Sequence, residues 1–143
     1  MSKSNVFEND FLKLIFTAVP IANLADNAAT APLTNLFIAA HTADPGEAGT
    51  QTTSETTYTG YTRATVARTA GAWAVTNNTV NPASTISWPA CTGGTSQTIT
   101  FFSIGVALTG ASKILYSGTV TPGIVVSTGV TPQLSMATAI TED

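Results

Sequence analysis

The stretch TITFFSIGVALTGASKILYSGTVTPGIVVS, residues 98–127, decides the fold class. It holds three short runs rich in Ile, Val, Phe and Thr, at 98–106, 114–119 and 123–127. Such residues suit a pleated, half-buried strand, and the runs are too short and too heavily punctuated by Gly to read as helices. Similar runs at 35–42, 58–68, 72–76, 84–88 and 133–141 bring the total to about eight strands. Between them lie Asn77-Asn78, Thr92-Gly93-Gly94 and Thr109-Gly110. Asn and Gly tolerate the positive φ that tight hairpins require. Hairpin-type turns without helical crossovers predict an all-β chain, an antiparallel β-sandwich of jelly-roll or immunoglobulin-like type.

The N-terminus has a different period. Phe7, Phe11, Leu14 and Ile15 fall at i, i+4, i+7 and i+8, one face of an amphipathic helix. Asn5 is the expected N-cap, with Glu8 completing a capping box. Pro20 ends the helix near Ala18, because the residue before a proline is pushed out of helical geometry. A helix of about 12 residues is not stable alone. Its apolar face must therefore dock, either on the chain's own sheet or on a neighbouring subunit. A length of 143 residues predicts one domain, with helix and linker at 1–27 and the sandwich at 28–143.

Composition narrows the function. The chain holds 27 Thr, 21 Ala and 11 Ser, and charged residues make up only 9%. Beyond Arg68 the only charges are Lys113, Glu142 and Asp143. Five basic residues against eight acidic ones provide no patch for nucleic acid. No apolar run reaches 18 residues, so no membrane-spanning helix is expected. Glu8 and Asp10 precede the first apolar run and Lys13 interrupts it, which is not the pattern of a signal peptide. The single cysteine, Cys91, reads as a small buried hydrophobe. Strands with so little charge lack the usual guards against edge-to-edge pairing; this predicts shielding by neighbouring subunits in a homo-oligomer or lattice, the alternative being that Thr and Ser keep these faces wet without charge.

Chemistry has few places to reside. His41, Asp44, Glu47 and Glu55 form the main titratable cluster, inside HTADPGEAGTQTTSETT at 41–57. One His and one Cys do not make a zinc set, and the acidic spacing is not that of a calcium loop. No nucleophile elbow or phosphate loop is present, so neither catalytic residues nor a cofactor is expected. A loop this long without apolar periodicity is a candidate for partner contact, with Asp44 and Glu47 as its charges. Tyr58, Tyr61, Trp73 and Trp88 would suit a sugar-binding platform, although the two tryptophans lie in expected strands and read better as core or subunit-interface residues. Arg63 and Arg68 bracket one expected strand and, five positions apart, face opposite sides of it. One of them is expected at an interface or on a buried carboxylate, with Glu55 the nearest candidate. The candidate partner contacts are thus Phe7, Phe11, Leu14, Ile15, Asp44, Glu47, Arg63 and Arg68.

The block LFIAAHTADPGEAGTQTTSETTYTGYTRATVAR, followed in order by WPACTGG, FFSIG, KILYSG, VSTGVTP and a terminal TED, resembles a family of small tailed-bacteriophage virion structural proteins. The ANLADNA segment after the helix is similar as well, so the likeness covers nearly the whole chain. The resemblance implies a non-enzymatic virion component made in the bacterial cytoplasm, with other virion proteins as partners. A capsid decoration or cement protein is the first expectation. A tail, collar or fibre-attachment component is the alternative, and a carbohydrate-binding module for a host surface glycan is the third.

Overall fold

The computed structural model describes residues 3–25 and 31–142. Among these residues one helix, α1 (Asn5–Thr17), precedes nine strands: β1 (Asn35–His41), β2 (Ala64–Ala67), β3 (Trp73–Thr76), β4 (Thr79–Pro82), β5 (Ile86–Ser87), β6 (Gln97–Gly105), β7 (Ile114–Val126), β8 (Gln133–Leu134) and β9 (Ile140–Thr141). They form sheets in the orders β2-β1-β6-β7, β3-β4-β9 and β5-β8. The pairs β1–β6, β6–β7, β3–β4 and β4–β9 are all antiparallel. The all-β class with one N-terminal helix is the one the residue patterns predict. No helix among the described residues is long and apolar enough to cross a membrane.

The chain divides into two compact units. The first comprises the described residues of Met1–Asn35, Ala67–Ile86 and Leu134–Asp143. Here β3 and β4 form a hairpin about Asn77-Asn78, where Asn77 takes φ 54°. The strand β4 escapes a count of apolar runs because it is four residues long and ends in Pro82. Helix α1 is capped one residue earlier than expected. Ser4 is extended and its side chain accepts the Phe7 N–H, while Asn5 is already helical. Both residue types cap well, and with Ser4 in that role Glu8 falls outside the capping-box position. At the other end Ala18 turns left-handed and the Val19 N–H donates to the Lys13 carbonyl.

The helix buries Glu8, Leu12 and Phe16, a stripe of spacing four. Phe16 meets Trp73 edge-on, with ring centroids 4.8 Å apart. The expected docking residues lie beside this stripe: Phe11, Leu14 and Ile15 are half-buried and Phe7 is 37% exposed. Arg68 closes the unit from below the helix. Its guanidinium donates to the carbonyls of Leu14, Ile15 and Leu33, each at 2.6 Å. The last-turn carbonyls of a helix lack partners of their own, and a cation there also offsets the negative end of the dipole.

The second unit comprises Leu36–Val66 and Ser87–Gln133. Residues 38–41 of β1 and 102–105 of β6 are buried on successive positions, hence on both faces. This explains why both strands read as continuous apolar runs rather than alternations. Trp88 is 1% exposed and its indole N–H donates to the Ile38 carbonyl at 2.9 Å. The two runs expected at 114–119 and 123–127 are one strand, β7, with a register break opposite Thr100: Ile99 pairs with Ile124 but Phe101 with Thr119. The break holds Pro122, which lacks a backbone donor. Edge strands are blunted in this way as well as by charge, so the uncharged edge has its own guard.

Leu12 and Phe16 are fully buried, so truncating the larger one leaves a cavity against Trp73. Phe16→Ala is expected to cost about 3–5 kcal/mol, read as a lower urea midpoint, whereas Phe7→Ala shifts that midpoint far less.

Candidate functional site

The segment 41–57 does not extend freely from the fold; it packs back across its own unit. Asp44 accepts the Gly46 N–H at 2.8 Å, closing the Asp-Pro-Gly turn, and Gly46 takes φ 69°. Farther on, Gln51 and Thr56 are buried. The Gln51 N–H donates to the Ser112 carbonyl and the Thr56 N–H to that of Ala40. A loop of such composition keeps its backbone satisfied by these ties even though it has little apolar content. Asp44 and Glu47 remain exposed.

Arg63 organises the polar interior. Its Nε donates to Glu55 Oε1 at 2.7 Å and Nη2 to Oε2 at 2.8 Å, a two-point pair. The remaining N–H groups reach the Gly110 and Ala107 carbonyls at 2.9 Å and Gln51 Oε1 at 3.4 Å. All five guanidinium donors are thereby used. This is the carboxylate expected for one of the two arginines. Tyr61 donates to Glu55 Oε1 at 2.9 Å and accepts the Ala40 N–H at 3.0 Å. Burial, with the Glu55 carboxylate alongside, raises its phenol well above the usual range. Tyr58 is also pushed up to about 12, mainly by burial.

Gln51 links this cluster to the sheet. It donates through Nε2 to the Phe37 carbonyl at 2.8 Å and accepts at Oε1 from Ser112 Oγ at 2.6 Å. Its amide occupies the space above Gly105, where a Cβ would stand 2.2 Å from Gln51 Cδ. Glycine at the end of β6 is thus a packing requirement. Sequence reading missed Gln51, Ser112 and Gly105. A glycine closing an otherwise apolar strand was the one available signal of close approach.

His41 is buried, with Nδ1 2.8 Å from the Thr53 carbonyl and Nε2 2.8 Å from Ser103 Oγ. Burial lowers its pKa from the ordinary value. The neutral ring therefore donates from Nδ1 and accepts the serine hydroxyl at Nε2. Both nitrogens serve the fold, and among the described residues no group of three or more His, Cys, Asp or Glu could hold a metal. The four candidate aromatics do not form a platform. Trp73 and Trp88 are 1% exposed and Tyr58 is 3% exposed.

A cleft of about 500 Å³ opens beside the ion pair. Glu55 and Tyr61 line it, together with Thr57, Thr62, Leu108 and Thr109. Arg63 belongs to its wall but is 4% exposed, and Arg68 serves the helix of the other unit.

Fold and site together describe a small β-rich chain in which Arg63, Glu55, Gln51 and His41 are engaged in holding its own segments together. Residues 2–140 match the family model described as Podophage GP4 fiber I protein gp80, and the chain belongs to this family of phage virion structural proteins. A search among curated proteins finds no match for the chain.

Removing the arginine would strand a largely buried carboxylate. Arg63→Ala is expected to cost about 3–5 kcal/mol, measured by urea unfolding. In the double variant Arg63→Ala/Glu55→Ala the loss should fall well short of the sum of the two single losses, a coupling that independent surface charges would not show.

Proposed function

We propose that the chain is a non-enzymatic fibre or fibre-attachment subunit of a tailed-phage virion. The family match over residues 2–140, to a protein described as a podophage fibre protein, carries this reading. Two structural features support it. The only histidine has both ring nitrogens engaged, and the Glu55 carboxylate is locked to Arg63, so neither is poised for proton transfer. The half-exposed stripe of Phe7, Phe11, Leu14 and Ile15 and the exposed Val6 give α1 an apolar flank for another virion protein or a second copy.

Arg63 and Arg68 act in this reading by holding the contact surfaces rather than by touching a partner. Asp44 and Glu47 offer exposed charge for selecting one. Repetition matters because several weak identical contacts joined in one assembly gain affinity by orders of magnitude. Capsid decoration would draw on the same surfaces, but the family description favours a fibre. Gold-labelled antibody on intact particles distinguishes the two in electron micrographs. Label confined to the tail or its appendages is the expected result, and label spread over the head surface would overturn it.

A further inference from the structure

The cleft beside Glu55 has a chemistry that the structural role leaves unused. Its charge is cancelled internally, because the carboxylate is paired at two points with Arg63. Glu55 Oε1 is saturated by Arg63 and Tyr61, whereas Oε2 has accepted a single hydrogen bond among the described residues. The Glu55 side chain is 15% exposed and lines the cleft. Thr62 and Thr109 make no hydroxyl hydrogen bond among the described residues. Thr57 Oγ1 accepts from Gln97 and keeps its own proton to give. Leu108, 46% exposed, and the Tyr61 ring supply apolar surface between these groups.

A neutral cleft with one rigid acceptor, several hydroxyls that both give and accept, and interspersed apolar surface matches a ligand whose own hydroxyls alternate with C–H faces. An anion would meet the free side of a carboxylate. An ammonium would find that carboxylate already neutralised. We propose that this cleft binds a neutral saccharide, a function beyond the assembly role. Its volume of about 500 Å³ lies within the usual range of small-ligand sites. Rigidity favours the site, since Glu55 is held by three hydrogen bonds and loses little freedom on binding.

The test is binding of the intact chain to an array of neutral and charged oligosaccharides, followed by calorimetry on each one retained. Thr62→Trp fills the cleft from an exposed position, and Thr109→Val removes a hydroxyl at nearly constant shape. Thr128→Trp, also exposed but outside the cleft, serves as the control. The expected result is retention of a neutral saccharide, abolished by Thr62→Trp, weakened about tenfold by Thr109→Val as befits one hydrogen bond, and unchanged in the control. Retention of no neutral saccharide, or retention that both cleft variants leave intact, would overturn the proposal. Neither result alters where the antibody label falls on the particle.

Discussion

The interaction on which the second unit depends is the paired contact between Arg63 and Glu55. A chain with so little charge has placed one of its few cations where it is 4% exposed. Burying a guanidinium is tolerable only when each donor finds an acceptor, and here all five do. Those acceptors come from separated stretches: Gln51 and Glu55 before the arginine, Ala107 and Gly110 after β6. One side chain thus joins the segment 41–57 to the loop that leads into β7. Threonine-rich segments have little apolar area to bury, so their position has to be set by hydrogen bonds.

The same logic orders the surrounding residues. Gln51 sits where Gly105 leaves room, and Tyr61 shares Glu55 Oε1 with the arginine. His41, kept neutral by burial, ties Thr53 to Ser103. In the other unit Arg68 does for α1 what Arg63 does for the long segment, holding backbone carbonyls that would otherwise lack donors. The two arginines that bracket one strand are both structural clamps, each in its own unit.

Much of this architecture was legible in the residue pattern. Long apolar runs identified β1 and β6 to within a residue at each end, and Asn77-Asn78 marked a hairpin. Strands became illegible where burial is slight. β2 occupies only the end of the run expected at 58–68, because Tyr58–Arg63 spend their backbone on turns and their side chains on the polar cluster. β8 and β9 are two residues each within a run read as one strand. The site was half legible. Glu55 could be paired with Arg63 because charges are scarce here, but nothing in a run of Thr, Gly and Gln indicates which polar residue will turn inward. The segment 41–57 looked like a projecting loop for the same reason: its anchors are hydrogen bonds, which leave no periodicity.

These features suit a small structural part of a virion. The interior is tied by clamps, the long edge strand is interrupted at Pro122, and an apolar flank of α1 stays half-exposed. The Arg63 cluster makes segment 41–57 an integral part of its sheet. Native-state hydrogen exchange at the Gln51 and Thr56 amides, followed with increasing denaturant, tests it most directly. Protection equal to that of the Phe102 and Ile104 amides in β6, reached only through unfolding of the whole unit, is the expected result. Exchange at 51 and 56 that is orders of magnitude faster and insensitive to denaturant would contradict it.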